Sequence, residues 1–448
     1  MDRLLDVAEL AVEKALENGA DQAEAFAGSS KSFSIEVENS AIKAAEEKHD
    51  AGIGIRAVIG KQIGFAYVTT LLKADYEEAA IKAVKLARAS IPDPDFVSLP
   101  SFSGTYPSVA GLYDNAVEEL ASAEAADLIV RSVDASKERL GDSQVAIEAE
   151  LTAASGKKAI VNSLGISNIA KSSSVMMYCY PSIKAEGEQT SSFEYQTSRT
   201  LNDIDPEWIG TNASEKTLKN LGGKTIDGGD MPVMFTPLAV GTVLGGGFAG
   251  AINAEEVQYG RSYISDDFGS KIASDKLNII DDGVLEHGIG SRTFDAEGYP
   301  SQRTVILENG ILKALLHNSY TANKDNVDNT GNASRPSYAG VPTISTSNFT
   351  IMKGSGTFDD LVGELNEGIL CTRTGDRPNM TTGDLSAMVM EGFLIKNGEI
   401  QHPVKNTLIG INMRDLLLRI QRIGADVRTT FSVISPSIII ESAKITSG

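Results

Sequence analysis

A chain of 448 residues that is 42% hydrophobic and 22% charged has the composition of a folded protein with two or three cores, and not that of a disordered segment. Forty Lys and Arg against sixty Asp and Glu give a net charge of −20. That balance excludes direct nucleic-acid or anionic-membrane binding and leaves a basic protein or peptide as an acceptable partner.

The first segment, MDRLLDVAELAVEKALENG, carries acids at helical spacing and lacks the long apolar core of a signal peptide. Leu4, Leu5, Ala8, Ala11, Val12, Ala15 and Leu16 fall on one face of a helix over 3–18, which Gly19 stops. IEVENSAIKAAEE and GIGIRAVIGKQIGFAYVTT then have β-rich composition with polar breaks. Asp75-Tyr76-Glu77-Glu78 has the form of a capping box ahead of the helical AAIKAVKLARAS.

After the Pro-rich stretch IPDPDFVSLPSFSGTYPS the same order returns. AEAADLIVRSVDASKERLG is helical, strands occupy Gln144 to about Thr197, and a helix opens at Asp205-Pro206-Glu207. Gly60-Lys61-Gln62 before FAYVTT is echoed by Gly187-Glu188-Gln189 before FEYQTS. The reading is a duplicated helix–strands–helix unit, about 1–91 and 115–223, joined by a linker at 92–110, so that 1–225 forms an N-terminal α+β domain.

From residue 226 to 448 the composition favours short strands separated by Gly, Asn and Asp turns. DDGVLEHGIG, FDAEGYPSQRTVILENGILKALLHN and EGFLIKNGEIQHPV each place two extended segments around a turn, with Glu308-Asn309-Gly310 and Lys396-Asn397-Gly398 as the sharpest hairpin signals. A mainly β C-terminal domain follows, with its principal helices at 238–256 and 412–424. No run reaches the roughly 20 apolar residues of a bilayer span. The two cysteines, Cys179 and Cys371, lie far apart in sequence, which fits a cytoplasmic protein with buried, inert thiols.

Motifs that carry chemistry are sparse. The histidines are His49, His287, His317 and His402, and none is paired at the one-turn spacing that grips a metal. Gly52-Ile53-Gly54 lacks the third glycine of a dinucleotide loop, and Gly222-Gly223-Lys224-Thr225 lacks the upstream glycine of a phosphate loop. The paired acids Asp266-Asp267, Asp281-Asp282 and Asp359-Asp360 read as turns or helix caps.

FDAEGYPSQRTVILENGILKALLHNSYTA, then Thr330-Gly331-Asn332-Ala333-Ser334-Arg335, then TTGDLSAMVMEGFLIKNGEIQHPVKNTLIGINM, together resemble the TldD/PmbA family, long labelled modulators of DNA gyrase, and the resemblance covers essentially the whole chain. In that family the TldD-like branch carries His-Glu-x-x-x-His, completes a zinc site with a cysteine near the C-terminus, and resembles proteases that cut extended peptides. The PmbA-like branch, also called TldE, lacks the ligands and pairs with a TldD-like subunit. Here Pro237, Leu238 and Thr242 stand where His, Glu and His would, within Pro237-Leu238-Ala239-Val240-Gly241-Thr242, and no cysteine follows Cys371.

The resemblance therefore implies a chain without metal or cofactor of its own, a TldD-like zinc-bearing partner, self-association, and an unfolded peptide as substrate. Peptide-contact candidates are Asn318, Tyr320, Thr330, Gly331, Asn332 and Arg335, with Arg335 able to take a peptide carboxylate; the alternative is that this loop only closes its domain. Two other functions stay open: a peptidase active through unrecognised residues or through a site completed across a homodimer by His287, His317 or His402, and a homodimeric peptide-binding protein that joins no protease.

Overall fold

The apolar stripe of α1 (Arg3–Glu17) buries Leu4, Val7, Ala8, Ala11, Val12 and Ala15, and Gly19, at φ 94°, turns the chain out of the helix. The computed structural model describes residues 3–141, 144–185 and 187–448, so Met1 and Asp2 of the first repeat unit lie outside the described residues. β1 (Gln22–Glu38) turns at Asn39-Ser40, both at positive φ, into β2 (Ala41–Ile59). β2 runs on through Lys48-His49-Asp50, paired with β1 there, with Lys31 opposite His49.

β3 (Gln62–Val68) follows, then α2 (Lys73–Ala89). The expected capping box at Asp75 is not what starts α2. The helix opens at Leu72 without a side-chain cap, and Asp75 sits in the first turn accepting the Thr70 hydroxyl. The Pro-rich linker is packed, with Phe96 and Leu99 buried against Val58.

The second unit comprises α3 (Asn115–Glu118), α4 (Ser122–Leu140), β4 (Gln144–Asn162), β5 (Ser167–Ala185), β6 (Glu188–Ser191), β7 (Glu194–Ser198) and α5 (Pro206–Lys219). Asp205 caps α5 by accepting from the Trp208 N–H at 2.9 Å, with Pro206 at the first helical position, as its sequence requires. Gly60 and Gly187, both at positive φ, occupy the turns into the third strand of each unit.

The two units share one antiparallel sheet of order β3-β2-β1-β4-β5-β6, with β7 also on β5, and its central pair is β1–β4. Alternation decides what each face meets. Ala23, Ala25 and Ala27 of β1 pack into the core under α1 and α2, while Phe33, Ile35 and Val37 pack under α4 and α5, so both helix pairs cover the same face at opposite ends of the strands. The other face presents Phe26 and Ile160 to Phe294, Ala296, Ala333 and Tyr338 of the C-terminal half.

That half is built on two large sheets, in addition to the short pair Ala333–Ser334 and Thr343–Ile344. An eight-stranded sheet contains β8 (Gly229–Phe235) between Glu367–Arg373 and Ile438–Ser447, and a six-stranded sheet includes Ile279–Asp282, Arg303–Glu308 and Phe349–Ile351. One core takes Val233 and Ile369 from the first and Ile279 and Phe349 from the second, with Val240, Val243, Leu244 and Phe248 between them. The hairpins at Asn309-Gly310 and Asn397-Gly398 form as expected, each with both residues at positive φ.

Three expectations need correction. The helix placed at 238–256 is α-helical over Pro237–Val240, π-helical over Gly241–Gly246 and α-helical over Gly247–Ala251; it then ends, and Ala254–Gln258 is a separate turn capped by Asn253. The helix placed at 412–424 stops at Leu418, because Ile420–Ile423 pairs with the last strand. DDGVLEHGIG contributes only its first residues to a strand, and the rest coils against the backbone of Ser347 and the side chain of Asn348.

Candidate functional site

The glycines of Gly241–Gly247 explain both the π turn and its position. A Cβ on Gly245 would lie 2.7 Å from Val433, and one on Gly247 would lie 2.6 Å from Pro378, so only a bare backbone packs this closely. A one-residue widening of this kind commonly marks a functional stretch of helix. Its outer face, Leu238, Gly241, Thr242, Gly245 and Gly246, forms one wall of a cavity of about 610 Å³.

The opposite wall comes from the second unit of the N-terminal sheet: Met176, Tyr178 and Tyr180 of β5, with Phe193 and Tyr195 at β7. Phe431 closes one end, stacked on Tyr195 at 5.2 Å between ring centroids, and Phe193 stacks on Tyr195 at 5.9 Å. Phe431 holds φ at 53°, a costly conformation for an aromatic residue, maintained here at the cavity mouth. Arg377 is the single charged residue in the lining, and the hydroxyls of Tyr195 and Thr430 are buried within reach of each other.

Charge fixes the cavity's edges. Glu194 is buried, and although burial by itself raises its carboxyl, Lys216 at 2.7 Å and Arg428 outweigh that and hold it below the ordinary range. Glu391 accepts from the Ser192 hydroxyl at 2.8 Å and is ion-paired with Arg373 at 2.8 Å. Both carboxylates near the helix start are thus committed to joining β7 to the C-terminal half. What remains is an apolar, aromatic slot with a few hydroxyls, suited to holding side chains of an extended segment.

Pro237, Leu238 and Thr242 lie where this slot meets a second cavity. Pro237 is at the first helical position, with its carbonyl accepting from Ser435 at 3.0 Å; Leu238 lines both cavities; the Thr242 hydroxyl donates back to the Leu238 carbonyl at 3.4 Å.

The 318–335 candidates lie elsewhere and are held in structural bonds. Asn318 caps the helix Ser319–Asp325 through the Thr321 N–H at 3.0 Å, and the Tyr320 hydroxyl donates to Asp93 at 3.0 Å. The Thr330 hydroxyl accepts from the His317 N–H and donates to its carbonyl. Gly331, at φ 70°, passes so close to Pro300 that a Cβ would sit 2.4 Å from its carbonyl oxygen. Asn332 is buried and donates to Asp281 at 2.7 Å.

Arg335 corrects the expectation of a free carboxylate receptor. Its side chain is fully buried, ion-paired to Glu24 on β1, donates to the Ala296 carbonyl at 3.1 Å, and lies over the Phe26 ring at 5.1 Å. Glu24 also accepts from Arg56 at 2.8 Å, and Arg56 reaches Glu297 at 2.9 Å, which in turn accepts from the Ser319 N–H.

The four histidines sit apart. His49 is exposed beside Glu47, His287 packs on Gly111, His317 is buried on Thr321 with its pKa lowered by burial, and His402 lies against the Pro403 carbonyl. Among the described residues no group of three or more His, Cys, Asp or Glu could hold a metal ion, and no helix is long and apolar enough to cross a membrane. Cys179 and Cys371 are buried, and burial pushes their thiols up to about 11 and about 12.

The aromatic slot was not singled out by sequence reasoning, because Tyr178, Tyr195, Arg377 and Phe431 come from segments with no shared spacing. Only the alternation of β5, with Met176, Tyr178 and Tyr180 on one face, marked one wall.

Comparison with known proteins places the whole chain. Residues 23–90 match the PmbA/TldA metallopeptidase domain 1, residues 113–221 the central domain and residues 228–447 the C-terminal domain. The chain is 27% identical to the metalloprotease PmbA of Escherichia coli O157:H7 over 98% of its length and 96% of that protein's. It is 29% identical to a metalloprotease TldD homolog of Buchnera aphidicola over 88% of its length and 83% of that protein's. The crystal structure of TldE from Thermococcus kodakarensis has the same fold, with a TM-score of 0.89 at 24% identity, covering 99% of this chain and 100% of that one.

Proposed function

Because this chain belongs to the PmbA/TldA metallopeptidase family, we propose that it is the non-catalytic, PmbA/TldE-like subunit of a cytoplasmic TldD-type metalloprotease that matures or degrades unfolded peptides. The zinc is carried by a TldD-like partner, and this chain supplies part of the chamber.

The observation that carries the reading is the chemistry of the helix start at the aromatic slot. A zinc protease needs imidazole, carboxylate or thiolate donors converging on one point, with a carboxylate free to take a proton from bound water. Positions 237, 238 and 242 offer a proline ring, leucine methyls and a hydroxyl turned back on its own helix. The neighbouring carboxylates Glu194 and Glu391 are spent on Arg428, Lys216 and Arg373. These residues do not fit the metal.

They fit a wall. Aromatic faces, two buried hydroxyls and one cation favour an extended peptide whose side chains alternate into the slot. A folded protein presents no free strand of this kind, which gives selectivity for unfolded substrates.

The test is coexpression with a TldD-like chain. The expected result is a heteromeric complex whose zinc, by elemental analysis, matches the partner's stoichiometry, with peptidase activity that the present chain lacks alone. One zinc per copy of the isolated chain, with chelator-sensitive cleavage, would overturn it.

A further inference from the structure

The face of the N-terminal sheet turned toward the C-terminal half is lined by small residues along two adjacent rungs. One rung pairs Ser30, Gly156 and Ser172; the next pairs Gly28, Lys158 and Ala170. Lys158 is the one long side chain in this row. Above it lies a polar cavity of about 380 Å³, roofed by Ser334–Tyr338 and by Arg292.

Lys158 makes no hydrogen bond or ion pair among the described residues, and its ammonium faces Arg292, Arg199 and Asp295. Two of those neighbours are already committed. Arg199 donates to the carbonyls of Ser173, Gly288, Ile289 and Ser291, and Asp295 accepts the backbone N–H groups of Glu297, Tyr299 and Ala333. Arg292 is not: one nitrogen reaches the Gly331 carbonyl at 3.4 Å, and Nε is buried without a partner.

The cations Lys158, Arg292 and Arg199 outnumber the one acid that faces the ammonium, Asp295, whose oxygens are taken by backbone N–H groups, so the cavity keeps a local positive excess in a chain of net charge −20. Burial and the two arginines push Lys158 down to about 8. A half-buried cation with less than a full counter-charge is costly, and a planar anion that bridges it to a guanidinium removes that cost.

We propose that this cavity binds a carboxylate group, gripped between the Lys158 ammonium and the Arg292 guanidinium. That the carboxylate is the free C-terminus of a peptide rests on the function proposed above; the carboxylate specificity itself rests on the cavity alone. The site lies apart from the aromatic slot, and a volume of about 380 Å³ holds a terminal residue or two. It thus reads the end of a chain where the slot reads its middle.

The experiment is calorimetric titration of the full chain with N-acetyl-trialanine as the free acid, with the C-terminally amidated peptide, with succinate and with inorganic phosphate. The acid is expected to bind at least about tenfold more tightly than the amide, and both Lys158→Met and Arg292→Gln to weaken the acid about tenfold. Arg292→Gln keeps the sheet residue, so it serves if Lys158→Met fails to fold.

Affinity for the acid should fall as pH rises through about 8. The groups facing the ammonium are Arg292 and Asp295 from the 291–301 segment and Arg199 beyond β7, with Asp50 on β2, Lys157 on β4 and Arg335 in the roof also lining the cavity. Equal binding of acid and amide, or phosphate bound in preference, overturns the proposal. Succinate bound as tightly as the peptide acid upholds the carboxylate site and removes the peptide. Binding of the free acid by a chain that never joins a TldD-like partner upholds the site while removing the function proposed above.

Discussion

The guanidinium of Arg335, in the C-terminal half, is buried against the carboxylate of Glu24 on the first strand of the N-terminal sheet, 311 positions away. Arg56 and Glu297 extend the pair into an alternating row of four charges, each nearly excluded from water. Every member then faces an opposite charge, and removing one leaves its neighbour buried and unsatisfied. Arg335→Ala is therefore expected to destabilise the protein by about 3–5 kcal/mol, read from urea unfolding midpoints. A loss below about 1 kcal/mol would show that the row contributes little to holding the two halves together.

The same row sets an acid limit. Burial pushes the Glu24 carboxyl up, but Arg335 and Arg56 together outweigh it and hold it below its usual 4.5. A carboxylate with a depressed folded pKa contributes stability that is fully present above its unfolded value and is lost as pH falls through the folded one. Glu194, depressed by Lys216 and Arg428, acts in the same direction. Asp295 opposes them: burial raises it to about 7, so its contribution is largest at low pH and fades as pH rises through that value. Glu24→Gln should be destabilised against the parent at about pH 7, and the gap should close below about pH 4. A gap independent of pH would sever Glu24 from acid unfolding.

Elements whose causes are local were legible in the sequence, and those whose causes are distant were not. Asp205-Pro206 and the Asn-Gly pairs at 309 and 397 specify their cap and turns through their own backbone preferences. The 412–424 helix was read too long because nothing within it reveals that Ile420–Ile423 will be claimed by the last strand. Likewise the π turn at Gly241–Gly246 depends on contact with Val433 and Pro378, far along the chain.

At the candidate site the absence of imidazole and carboxylate at 237, 238 and 242 could be read directly, whereas the pairing of Arg335 could not. Thr330–Arg335 was open to two readings, a peptide-carboxylate contact at Arg335 or a loop that only closes its domain, and only the fold brings Glu24 and Phe26 to Arg335. Lys158 was silent for the same reason. Its isolation depends on Gly28, Ala170 and Arg292 being placed around it by three different segments.

Installing the His-Glu-x-x-x-His motif tests whether this helix start can hold a metal. Pro237→His, Leu238→Glu and Thr242→His together supply two imidazoles and a carboxylate at helical spacing, yet no third donor lies in the lining, which consists of apolar, aromatic and hydroxyl side chains with Arg377. Glu194 and Glu391 are tied to basic partners and would have to abandon them. The triple variant is expected to remain without stoichiometric zinc by elemental analysis and without peptidase activity, since ligand orientation also depends on outer partners that are missing. Tight zinc binding together with cleavage would mean that the surrounding shell is still intact.

The slot itself can be closed without touching the charged row. Leu238 lines the aromatic cavity of about 610 Å³ and the adjoining one of about 600 Å³, so an indole at this position projects into the passage between them. The backbone there is an ordinary first helical turn that accepts the larger residue, and the core side of the helix, Ala239, Val240 and Val243, is unaffected. In the complex with a TldD-like chain, Leu238→Trp should lower kcat/KM for an unfolded peptide about tenfold, equal to about 1.4 kcal/mol, while the two chains still coelute on gel filtration. Unchanged kcat/KM would remove the slot from the substrate path. Loss of coelution would instead place the partner on this helix, because a residue that only lines a chamber can be enlarged without separating the subunits that enclose it.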